Sequence, residues 1–138
     1  MKRSLLLLLC IATLGLASCK KETIIQETPN RTFEYTIQPS QWTSNSNGLN
    51  FTAELDIPEI DQVTLDDEGV LVYIDHPTIT GSQIALPFTY DTNSYTYEIF
   101  NGGIAIDIQS SDKQATAPVK PTKAVKVKIL VLPSQFVP

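Results

Sequence analysis

Side chains that carry most metal and enzyme chemistry are scarce in this sequence. Its 138 residues include one His, two Cys, one Met and one Trp. One His and two Cys give little material for the His- and Cys-rich ligand sets that zinc sites favour. The lone His76 precedes Pro77 in a turn-like setting, and no Gly-x-Ser-x-Gly elbow occurs for it to serve. It reads as an exposed loop residue. Positive charge is also short, with 10 basic residues against 15 acidic ones and a formal net charge of −5. Nucleic-acid binding needs a basic footprint, so the balance argues against a nucleic-acid partner. Glycine (6) is rarer than proline (9), and 42% of residues are apolar, which excludes collagenous and disordered classes. Long hydrophobic runs are confined to the amino-terminus. The run there stops short of the roughly 20 apolar residues that a spanning helix needs.

That run is informative. Met1-Lys2-Arg3 forms a short positive segment, and Leu5 to Ala17 forms one apolar stretch ending in small residues. This is the layout of an export signal. Its end, Leu16-Ala17-Ser18-Cys19, resembles the lipobox of bacterial lipoproteins. The resemblance implies a diacylglycerol on the Cys19 sulfur, cleavage before Cys19, and acylation of the new amino group. The partner so implied is a lipid bilayer, held through several acyl chains at about 0.8 kcal/mol per buried CH₂. Lys20 follows the Cys where an Asp would favour inner-membrane retention in Gram-negative sorting, which implies the outer membrane. Lys20-Lys21-Glu22 offers one acid of the surface-export signal found in lipoproteins of the Bacteroidota, and does not choose between the leaflets. Removing Lys2 and Arg3 leaves 15 acidic residues against 8 basic, a net charge of −7. Cys10 departs with the signal and Cys19 is capped, so no disulfide is expected and stability must come from a packed core.

Three segments follow from this reading: residues 1–18 as signal peptide, 19–31 as a lipidated tether, and 32–138 as a folded domain. In the last of these the hydrophobic period becomes two. Phe33, Tyr35 and Ile37 alternate with polar neighbours, as do Leu49, Phe51, Ala53, Leu55 and Ile57. Val70 to Ile74 is a continuous apolar run, expected to be buried on both faces. Ile84 to Phe88 is extended, with Pro87 confining it to an edge or strand end. Tyr95 to Ile99, Ile104 to Ile108 and Val125 to Val131 alternate again. Turn residues separate the segments, among them Asn45-Ser46-Asn47-Gly48 and Asn101-Gly102-Gly103. Asp61 to Leu65 is the one short helical candidate, and Gln109 to Thr122 the longest internal loop. The expected fold is all-β: a single antiparallel β-sandwich of about seven strands and immunoglobulin-like size, without a disulfide.

Ser40-Gln41-Trp42, Gly69-Val70-Leu71-Val72-Tyr73, Ala85-Leu86-Pro87-Phe88 and Lys126 to Pro133 resemble the small, uncharacterised β-sandwich lipoproteins common in Bacteroidota. That resemblance supplies no catalytic residues to carry over. The expectation is a non-enzymatic structural or interaction module at the cell envelope, with no cofactor and no metal. Its partner would be an envelope protein or a glycan. The alternative is a glycan-binding accessory lipoprotein that uses Tyr90, Tyr95 and Tyr97, which flank one turn, as a stacking platform. Alternating tyrosines also build sandwich cores, and the sequence leaves both readings open. Trp42 is expected to plug one end of the core. Asp66-Asp67-Glu68-Gly69 lacks the alternating spacing of a calcium loop and reads as a solvated turn. Lys123, Lys126 and Lys128 suggest a protected edge strand.

Overall fold

Alternation every second residue gives each strand one apolar face, and two such faces can be buried only against each other. The computed structural model describes residues 29–44, 48–113 and 115–134. The expected signal peptide, Cys19, most of the expected tether and Asn45 to Asn47 lie outside them. Eight strands form in the order β1 (Arg31–Ile37), β2 (Asn50–Asp56), β3 (Glu68–Asp75), β4 (Gln83–Ala85), β5 (Phe88–Tyr90), β6 (Asn93–Phe100), β7 (Gly103–Ser110) and β8 (Val125–Pro133). They make two antiparallel four-stranded sheets, β1-β8-β3-β4 and β2-β7-β6-β5. The inner faces meet in one core that includes Ile37, Leu55, Val72, Ile106 and Ile129. Trp42 is buried in this core.

Three expectations change. The segment Ile84 to Phe88 is not one strand. The chain leaves the first sheet after Ala85 and joins the second at Phe88, across the cis Leu86–Pro87 bond. Proline has no N–H to continue a ladder, so pairing stops there on either side. The run Val70 to Ile74 is not buried on both faces: Val72 and Ile74 are buried, but Leu71 is 42% exposed. No layer covers the outer face of this sheet among the described residues. The lysine-bearing strand is not an edge. β8 lies between β1 and β3, and Lys126 and Lys128 project from its outer face.

The helical candidate becomes α1 (Gln62–Asp67), capped by the Asp61 carboxylate, which accepts from the Thr64 N–H at 3.1 Å. Asp66 and Asp67 therefore finish a helix, and Glu68 and Gly69 open β3 in place of a solvated turn. Arg31, placed at the end of the tether by sequence, is the first residue of β1. Its guanidinium pairs with the Glu68 carboxylate and donates to the Glu59 carbonyl at 3.1 Å. The Thr64 hydroxyl donates to the same Glu68 carboxylate at 2.6 Å. This network fastens β1, the loop after β2, α1 and β3 at one end of the sandwich. At that end Gly103 permits close approach: a Cβ there would lie 2.2 Å from the Leu55 carbonyl oxygen.

Candidate functional site

The three candidate tyrosines sit on the β5–β6 hairpin. Register places Phe88 opposite Tyr95 and Tyr90 opposite Asn93, so Phe88, Tyr90, Tyr95 and Tyr97 share the inward parity. Tyr95 is 7% exposed and its ring stacks on Phe88, with centroids 4.7 Å apart and planes 5° from parallel. Burial, and secondarily the Tyr90 phenol nearby, push its pKa above the ordinary tyrosine value. Tyr97 is half-buried, and its hydroxyl donates to the Val70 carbonyl at 2.6 Å across the two sheets. Burial raises its pKa as well. Tyr90 is the most exposed of the three, at 37%. The structure thus brings the three side chains to one hairpin but turns Tyr95 and Tyr97 into the core. Cys19, the lipidation candidate, lies outside the described residues.

Tyr90 meets the chain's one histidine. The His76 and Tyr90 rings pack edge to face, with centroids 5.1 Å apart. His76 Nδ1 accepts from the backbone N–H groups of Thr78 and Ile79, both at 3.1 Å. The Thr78 hydroxyl lies 3.1 Å from the Tyr90 hydroxyl. His76 is half-buried and caps the loop between β3 and β4, so it is not the freely exposed residue expected from Pro77 beside it. The Thr78 hydroxyl also approaches Nδ1, at 3.4 Å. Two backbone donors already occupy this nitrogen, which leaves it poorly placed to take a proton from a nucleophile.

The long loop between β7 and β8 is fixed by polar contacts. Asn93 is 6% exposed, and its side-chain oxygen accepts from the Val119 N–H at 3.1 Å. The Asp112 carboxylate accepts from the Ser110 hydroxyl and from the Thr116 N–H. The Ser110 bond first, and then those from Thr116, hold the Asp112 pKa down to about 2.

The two outer sheet faces differ in charge. On the β2-β7-β6-β5 sheet, Glu54, Asp56, Glu98 and Asp107 all point outward, and the Thr52 hydroxyl donates to the Asp107 carboxylate. Glu54 and Glu98 flank the small Ala105. A shallow hollow of about 360 Å³ lies over these residues. On the other sheet a second hollow, of about 380 Å³, is lined by Glu34, Thr36, Gln83, Lys126 and Lys128. The Lys128 ammonium lies 4.7 Å from the Tyr73 ring centroid. Sequence parity already put each acid on the polar side of its strand. Their gathering on one sheet depends on strand order, which parity does not give. Among the described residues no group of three or more His, Cys, Asp or Glu could hold a metal ion. None of their helices is long and apolar enough to cross a membrane. No protein family, curated protein or solved structure matches the chain.

Proposed function

We propose that the chain is an outer-membrane lipoprotein whose β-sandwich acts as a non-enzymatic interaction or structural module at the cell envelope. The observation that carries this reading is Leu16-Ala17-Ser18-Cys19 directly behind an apolar segment of signal-peptide length. Acylated Cys19 holds the protein to the bilayer, and the sandwich is presented on the segment that follows. The aromatic groups count against a glycan platform. Sugar stacking needs an exposed ring face, whereas Tyr95 stacks on Phe88 and Tyr97 bonds across the core. The glycan reading keeps Tyr90 as its one surface ring.

Intact-mass analysis of the protein recovered from membranes tests the anchor. The expected species begins at Cys19 and carries acyl chains, and Cys19→Ala should leave unprocessed precursor. An unlipidated amino-terminus in the wild type would exclude the proposal. A glycan array run with wild type and Tyr90→Ala separates the alternative: binding lost in a mutant that melts like wild type would favour a sugar ligand.

A further inference from the structure

Charge is divided unevenly between the two ends of the sandwich. From Lys113 to Pro138 the sequence holds five lysines and no Asp or Glu. Lys113, Lys120 and Lys123 stand exposed on the segment between β7 and β8. That segment closes the end opposite the Arg31–Glu68 network, because β1 starts and β8 finishes at the network's end. None of the three forms an ion pair among the described residues, and the Lys120 ammonium rests 6.0 Å from the Phe51 ring centroid. The acids on this side are Asp75, Asp91 and Asp112. Asp75 accepts from the Lys126 N–H, and Asp112 accepts from Ser110 and Thr116. The network's end carries Asp56, Glu59, Asp61, Asp66 and Asp67.

Three exposed apolar side chains share the lysine-bearing end: Ile79 at 57%, Tyr90 at 37% and Val119 at 65%. Hydrogen bonds tie their loops to one another. His76 Nδ1 holds the Thr78 and Ile79 N–H groups, and the Thr78 hydroxyl meets that of Tyr90. Tyr90 pairs with Asn93, whose side chain accepts from the Val119 N–H. The Ser111 N–H donates to the Thr92 carbonyl at 2.8 Å, which joins the segment after β7 to the turn between β5 and β6. The chain of bonds runs from Ile79 to Val119 without a break. This surface is formed before any partner arrives, so binding costs little ordering of its loops.

We infer that Ile79, Tyr90 and Val119, flanked by Lys113, Lys120 and Lys123, form a docking surface for a protein segment that sets Asp or Glu beside apolar side chains. The inference rests on the interaction-module reading above and gives the chemistry of its partner. Charge complementarity selects the occupant. The three lysines have no counter-charge of their own, and apolar anchors within a charged rim are the layout of protein interfaces. A dense polyanion such as DNA fits less well, because Asp75, Asp91 and Asp112 stand among the lysines. A sugar needs a free ring face, whereas the Tyr90 ring is packed on His76. A second copy would have to bring its own acidic end here. Copies anchored through Cys19 enter the membrane at that acidic end, where β1 begins, and stand side by side with their lysines pointing away from the bilayer.

A displayed library of random twelve-residue peptides, selected on the full chain in detergent micelles, tests this. The enriched peptides should combine Asp or Glu with apolar residues, and their binding should weaken as salt rises. Val119→Asp or Ile79→Asp should weaken the selected peptide by about fivefold or more, as for an interface anchor. Lys120→Glu together with Lys123→Glu should weaken it about tenfold and flatten its salt dependence. Val63→Asp, on α1 at the other end and 58% exposed, should leave binding unchanged. Thermal melts check that each variant folds, as expected for exposed positions. Enrichment of no peptide, or of peptides without acids, overturns the proposal. So does binding that Val119→Asp and Ile79→Asp leave intact in folded protein. DNA and polygalacturonate run alongside: either one binding at these residues where peptides do not, or a homodimer that Val119→Asp splits, also overturns it. Fractionation of cells keeps the two readings apart. A chain held in membranes that selects no acidic peptide defeats only the docking surface, and a chain that washes free of membranes defeats the anchor.

Discussion

At the scale of single residues, burial and hydrogen bonding decide what each substitution does. Leu55 is 5% exposed on the inner face of β2, so Leu55→Ala removes transfer energy and leaves a cavity. It should lose roughly 2–5 kcal/mol in denaturant melts, and Val72→Ala somewhat less because the side chain is smaller. Tyr95→Ala removes a stacked, buried ring and should lose about 3–5 kcal/mol, as for other large-to-small aromatic changes. A Tyr95→Ala protein that melted like wild type would contradict its place in the core. His76→Ala deletes an acceptor for two backbone N–H groups, so about 1 kcal/mol is expected. A loss within experimental error would contradict the capping role. Asp112 titrates at about 2, below its ordinary 3.8, so its contribution to holding the loop is present above pH 4 and lost as the pH falls through 2. Carboxyl chemical shifts of Asp112 followed from pH 5 to pH 1.5 measure this directly. A midpoint near 3.8 would show that the Ser110 and Thr116 bonds do not form in solution.

At the scale of elements, the hairpin of β6 and β7 depends on Gly103. Its missing Cβ lets the turn approach the Leu55 carbonyl, while Gly102 carries φ +102° beside it. Gly103→Ala forces the backbone of β2 and β7 apart, and overpacking of this kind costs about 1–3 kcal/mol. Urea melts of this variant should show a lowered midpoint with unchanged slope, because the folded core stays compact. The network of Arg31, Thr64 and Glu68 has the same standing at the start of β1. Glu68 is largely buried there, and its carboxylate takes both donors.

At the scale of the whole molecule, one continuous apolar core joins the two sheets, and no cysteine lies among the described residues. The melt should be cooperative and indifferent to chelator and reductant. Alkaline behaviour is set by Tyr95 and Tyr97. Their folded pKa values are raised, so their share of stability is whole below pH 10 and is lost as the pH climbs through the folded values. Thermal melts at pH 8, 10 and 11 should show a falling midpoint above pH 10 that Tyr95→Phe reduces. The outer faces add a long-range asymmetry, with carboxylates alone on one sheet and carboxylates mixed with Lys126 and Lys128 on the other.

The alternation of Phe33-Tyr35-Ile37, Ala53-Leu55-Ile57 and Ile104-Ile106-Ile108 determined that the fold is all-β and which side chains enter the core. It could do so because a strand's faces follow from local period alone. The lipobox proposed at Leu16 to Cys19 is likewise read from consecutive residues. Strand order is different, since pairing joins residues far apart in sequence and is chosen by packing of the whole core. Only the tertiary structure placed β8 in the middle of its sheet, left Leu71 uncovered, and divided Ile84 to Phe88 between two sheets at Pro87. The fate of Tyr95 and Tyr97 belongs to the same class. Their shared face was legible from their spacing, but that this face meets Phe88 and Val70 was settled by the opposing strands that pack on it.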